Sequence, residues 1–181
     1  MDQKHYAKLI NEELEKLPFY VKEFYLAKNL ALTTKYQYLT EIRRFFTWLR
    51  QEGISKAKSN TDIELSTLEH LKREDVMLYL DYLKNTVNMQ NKYNSPTTIN
   101  RSINALRSLF HYLTVVADNN DGEPYFYRNV MAKIESLPAS QTLHYRASVL
   151  QTHMYRGKMK HDFLDFLSSK YEDESNNYVA G

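Results

Sequence analysis

SPTTINRSINALRSLFHYL, residues 95–113, decides the fold. The Ser95 hydroxyl can accept a bond from an orphan N–H at a helix start. Pro96 suits the first helical position, where a missing N–H costs nothing. At about 100° per residue, Ile99, Ile103, Leu106, Phe110 and Leu113 share one face. Asn100, Arg101, Asn104, Arg107, Ser108 and His111 share the opposite face, which holds donors and cations and no carboxylate.

Working upstream, TTKYQYLTEIRRFFTWL (33–49) follows the same logic. Thr33 or Thr34 is expected to cap a helix, with Tyr38, Ile42, Phe45, Phe46 and Leu49 on one face and Gly53 at its end. Trp48 lies near that stripe and reads as a core or hinge aromatic rather than a catalytic residue. The first segment, residues 6–29, reads as a helix interrupted at Pro18. Residues 54–64 and 86–94 read as polar loops, 66–71 as a helical turn, and 73–85 as a helix with Val76, Leu80 and Leu83 inward. Downstream, Asn119, Asn120, Asp121 and Gly122 mark a turn, and 125–137 reads as a short helix or helical tail. A linker is expected at 136–147, with residues 148–181 as the truncated start of a further domain or a tail. Beyond about Glu172 the chain is polar and uncapped, and disorder is expected there.

Composition bounds the rest. The 181 residues include four glycines, four prolines and no cysteine. Few turn-formers favour helices. The absence of cysteine excludes disulfides and thiolate metal sites and fits a reducing cytoplasm. No apolar run approaches a membrane span, and the N-terminus MDQKHYAKLINEELEK is too polar for a signal peptide. A net charge of +2 says little about partners, but its distribution says more. Residues 33–50 hold Lys35, Arg43, Arg44 and Arg50 against Glu41, and 96–113 hold Arg101 and Arg107 with no acid. Glu12, Glu13 and Glu15 read as a solubilising helix surface.

The 33–49 and 95–113 strings, followed by GEPYFYRNVM at 122–131, resemble the core-binding domain of tyrosine recombinases, the phage-integrase N-terminal SAM-like fold. EKLPFYVKEFYLAK (15–28) and FLDFL (163–167) point to the XerS-like branch of the Xer recombinases. The likeness covers roughly residues 1–170. Two positions depart from the family pattern. Lys72 stands where relatives place a small capping residue, and Val130 follows Asn129 where many have proline.

The resemblance implies an all-α fold: a four-helix core of two crossed helical hairpins plus short extra helices, over residues 1–135. It implies duplex DNA binding through Thr34, Lys35, Arg43, Arg44, Thr97, Thr98, Asn100, Arg101, Asn104 and Arg107. Cations neutralise phosphates and release counterions, and asparagine and arginine read base edges. Partners would be double-stranded DNA and other recombinase protomers, a tetramer in the full-length protein, with no membrane, small-molecule substrate, metal or cofactor. The cellular task implied is DNA integration or chromosome-dimer resolution.

In that family a tyrosine attacks a DNA phosphate, while arginines and a histidine-class donor stabilise the transition state. The resemblance places that chemistry in a further stretch of well over a hundred residues. His153-Met154-Tyr155-Arg156 with Tyr178 formally matches the histidine–arginine box. No Gly-x-Arg-x-x-Glu precedes it and no Leu-Gly-His precedes Tyr178, so the match lacks its context. No catalytic residue is therefore expected in this chain. The alternative from another class is a helical protein-interaction module, or a mobile-element remnant that no longer binds DNA. A docking face of that kind would mix charges or expose apolar anchors. A complete small transcription factor is a further alternative, against which no helix-turn-helix spacing stands out.

Overall fold

A computed structural model describes residues 3–87, 91–138 and 161–169. The chain divides into two compact units, residues 1–139 and 140–181. In the second, residues 161–169 are helical. Of the expected linker only 136–138 are described, and His153, Arg156, Tyr178 and the tail beyond Glu172 lie outside the described residues.

Pro18 splits the first amphipathic stretch into α1 (Gln3–Leu14) and α2 (Phe19–Ala27). It stands just before α2 in extended geometry, and its carbonyl accepts the Val21 N–H at 3.1 Å. The 20-residue α3 (Leu32–Gln51) follows. Its N-cap is Ala31, with no side-chain cap, which corrects the expectation for Thr33 or Thr34. The Lys35 N–H closes the first turn on the Ala31 carbonyl at 2.9 Å, so both threonines lie inside the helix. Gly53 ends α3 at φ 71°, a left-handed geometry that favours glycine.

Between α3 and the short α4 (Leu65–Glu69) runs a loop with a 3₁₀ turn at Asn60–Asp62. Arg50 organises this loop, donating to the Ala57 carbonyl and to Asn60 Oδ1, each at 3.1 Å, and to the Lys58 carbonyl. Helix α5 (Arg73–Asn85) starts without a small capping residue. Instead the Asp75 carboxylate reaches back to accept the Lys72 N–H at 2.7 Å. Helix α6 (Pro96–His111) begins as its sequence dictates, with Ser95 Oγ accepting the Thr98 N–H at 3.2 Å. It runs into a single π turn, Tyr112–Val116.

The first unit is all-α, with α1–α2, α3, α5 and α6 as its four-helix core. Its described residues contain no strand, only isolated antiparallel bridges at Val87–Tyr93 and Asp118–Pro124. Helix α3 packs against α1 and α6, and α5 against α6. The α6 stripe Ile99, Ile103, Leu106, Phe110 and Leu113 is buried throughout, as are Val76, Leu80 and Leu83 on α5. Trp48 is a core residue, its ring stacked on Phe45 (centroids 6.2 Å apart) and tilted against Tyr79 at 5.2 Å.

The helix expected over 125–137 is corrected. Only Val130–Lys133 forms a 3₁₀ turn, started by Asn129 Oδ1 accepting the Met131 N–H at 3.0 Å. The rest is held from outside rather than by its own ladder. Tyr125 Oη donates to Glu23 Oε2 at 2.8 Å, and Arg128 donates to the Leu71 carbonyl. Partial burial, with the Glu23 carboxylate beside it, pushes the Tyr125 phenol up to about 12.

Candidate nucleic-acid interface

Helices α3 and α6 carry the ten candidate residues, and their side chains differ in what already engages them. Arg101, Asn104 and Thr97 are exposed on α6. Arg101 has no partner among the described residues. Thr98 lies in the first turn of α6, with its hydroxyl 3.1 Å from Ser95 Oγ. Thr34 is half-buried in the first turn of α3. Lys35 donates to the Tyr25 carbonyl at 3.2 Å, and its ammonium sits 4.4 Å from the centre of the Tyr25 ring. That arrangement keeps a cation at the start of α3 while shielding it on one side.

The two arginines in the middle of α3 are paired. Arg43 Nε donates to Glu13 Oε2 at 2.5 Å, and Arg44 Nη1 donates to Glu41 Oε2 at 3.1 Å. Both carboxylates are buried, Glu13 with 6% of its surface exposed and Glu41 with 4%. The reading of Glu13 as solubilising surface charge is corrected: it lies under Arg43 and also receives Lys16 Nζ at 3.3 Å. A buried carboxylate is tolerated only when paired and hydrogen-bonded, and these two are. Glu41 also accepts the hydroxyl of Ser102, which is fully buried on α6. Beside this group, Tyr79 Oη is buried with no hydrogen-bond partner among the described residues. Burial pushes that phenol up, and the Glu41 charge adds in the same direction.

Asn100 and Arg107 face the segment that leaves the fold. Asn100 Nδ2 donates to the Leu137 carbonyl at 2.8 Å, and its Oδ1 accepts the Leu137 N–H at 2.7 Å. Arg107 Nη2 donates to the Ile134 carbonyl at 2.6 Å, and Nη1 to Asn104 Oδ1 at 3.3 Å. Asn100 therefore spends its amide on backbone, whereas most of the Arg107 donor fork remains. Asn100→Ala is expected to cost about 1–2 kcal/mol, since both bonds disappear and the Leu137 groups are left without their partner. Faster amide exchange at Leu137, with α6 unchanged, is the check.

Periodicity finds the faces but not these partners. Glu13, Glu41, Ser102 and Tyr79 are the residues that sequence reasoning missed. A carboxylate three residues before a cation, as Glu41 stands to Arg44 and Glu13 to Lys16, was the local signal available.

Residues 20–115 match the family model of the phage integrase N-terminal SAM-like domain. Among curated proteins the chain is 43% identical over 170 residues to tyrosine recombinase XerS of Streptococcus mutans serotype c, covering 90% of this chain and 48% of that protein. It is 40% identical over 169 residues to tyrosine recombinase XerS of Streptococcus pyogenes serotype M1, covering 89% and 47% respectively. The chain thus spans about half the length of the curated relatives it matches. No solved structure matches it.

Proposed function

Because the chain belongs to the phage integrase N-terminal SAM-like domain family, we propose that it is the duplex-DNA-gripping part of a tyrosine-type site-specific recombinase. Helices α3 and α6 face the phosphates and a groove. Arg101 and Asn104 contact DNA directly, Arg43 and Arg44 contact it through the donors their carboxylates leave over, and Lys35 and Arg107 flank them. The partners are double-stranded DNA and, in a tetramer on that DNA, further recombinase protomers. The covalent phosphotyrosyl step belongs to residues outside this chain's described part, and the work is cytoplasmic DNA integration or chromosome-dimer resolution. Residues 1–135 act as the binding domain, with 136–147 leading out of it.

The observation that carries the reading is the outer face of α6. Arg101 is an exposed cation with no carboxylate to satisfy it among the described residues, on a helix whose other face is fixed in the core. A cation left free on a rigid element suits phosphate.

The test is Arg101→Ala in a salt titration of binding to duplex DNA. For each phosphate no longer neutralised, affinity is expected to fall about tenfold near 0.1 M salt and the salt slope by about one unit. The melting temperature should hold, since the Arg101 side chain lies on the surface. Glu15→Ala is the control, being exposed on the α1–α2 turn; Glu13 cannot serve, because it holds Arg43. Unchanged affinity and slope in Arg101→Ala would favour the protein-interaction module instead.

A further inference from the structure

Resting on the DNA-binding reading, we infer that Glu41 is a positioning residue for that binding: a buried carboxylate that aims Arg44 at the phosphates. The geometry is a three-part bridge. Glu41 Oε2 accepts Arg44 Nη1 at 3.1 Å on the outer side and the Ser102 hydroxyl on the inner side. Arg44 and Glu41 are both on α3 and Ser102 is on α6, so the bridge lies between the two helices proposed to meet DNA. Glu41 is 4% exposed, whereas 40% of the Arg44 side chain is exposed. The carboxylate is fixed and the guanidinium reaches outward from it.

A carboxylate close to a phosphate-binding surface is a liability by charge alone, because it lowers the local positive potential. Its compensation is order. An arginine free in solvent loses rotamer freedom when it engages a phosphate. Arg44 has given up part of that freedom already. One of its five N–H donors is committed to Glu41, which leaves four on a side chain that is 40% exposed. Ser102 completes the device by holding Glu41 itself against rotation. Glu13 does the same for Arg43 through Nε, with Lys16 balancing its second oxygen.

The two accounts of Glu41 differ in sign. Charge alone says that Glu41→Gln, which raises the net charge by one unit, tightens DNA binding. Positioning says that it weakens binding, because a neutral amide holds the guanidinium less firmly. The experiment measures affinity for a duplex oligonucleotide across a salt series, with thermal melts alongside. Glu41→Gln is expected to weaken binding about fivefold while the fold persists. In an Arg44→Ala background the same substitution is expected to change affinity less than about twofold, since nothing is left to position. A merely structural role would produce the same loss in both backgrounds.

Unchanged or tighter binding by Glu41→Gln overturns the inference, and so does an equal loss in the two backgrounds. If Glu41→Gln does not fold, Ser102→Ala decides the matter. It removes the inner leg and no charge, and weaker binding with an unchanged salt slope is expected; wild-type affinity overturns the inference. Arg101→Ala, measured in the same series, reports on the DNA-binding reading itself. A wild-type chain that does not bind duplex DNA overturns both.

Discussion

Phe45→Ala is expected to destabilise the fold by about 3–5 kcal/mol, the range for emptying a buried aromatic site. Phe45 is fully buried and sits in an aromatic cluster. Its ring meets Tyr79 edge-on at 4.9 Å and stacks on Trp48 at 6.2 Å, with Phe46 tilted beside it, also at 6.2 Å. These rings join α3 to α5, so the cavity would open between two elements that cannot easily collapse toward each other. A melting temperature lower by about 10 °C or more is the expected reading for a unit of this size. DNA affinity measured well below the transition should survive, because Phe45 is buried in the core and not on the surface proposed to bind DNA. A loss under about 1 kcal/mol would mean that the α3–α5 core is not packed as described.

The largest expected effect on binding is that of Arg44→Ala combined with Arg101→Ala. Each removes one cation from the α3–α6 surface, and together they are expected to lower duplex affinity about a hundredfold near 0.1 M salt and the salt slope by about two units. The two substitutions differ in what they leave behind. Arg101→Ala leaves nothing unpaired. Arg44→Ala leaves Glu41 buried with only the Ser102 hydroxyl, and an uncompensated buried charge is costly. The double variant should therefore melt lower than wild type while Arg101→Ala alone does not. A salt slope equal to that of wild type, with the protein folded, would remove α3 and α6 from the DNA.

The sequence made some of this legible and hid the rest, for a physical reason that recurs. Ile99, Ile103, Leu106 and Phe110 could be read because burial follows helical periodicity, which is local. Ser95 and Gly53 could be read because caps and stops are local as well. Glu13 could not, because its partner Arg43 lies 30 residues away on another helix. Nor could Ser102, whose partner Glu41 lies 61 residues away on another helix, because a lone serine beside Arg101 looks like one more surface hydroxyl. Residues 125–137 misled in the same way. Tyr125 and Arg128 tie the chain to Glu23 on α2 and to the Leu71 carbonyl just beyond α4, and apolar content alone does not separate a segment held in this way from a helix. Among the candidate binding residues, the pattern indicated which side chains lie off the core stripe. It could not indicate that Asn100 is committed to Leu137.

Trp48 is the single tryptophan among 15 tyrosines, and its place in the core makes the molecule its own optical probe. At 3% exposure its indole is shielded from water, so emission should be blue-shifted and respond weakly to aqueous quenchers. Tyr79 at 5.2 Å and Tyr82 at 6.5 Å lie close enough to pass excitation to it, and tyrosine emission should be suppressed accordingly. Any change in that emission during a titration with DNA would come from the interior between α3 and α5 rather than from the wetted arginine face. Intrinsic fluorescence therefore separates two events that an affinity curve merges: occupation of the surface and rearrangement of the core beneath it.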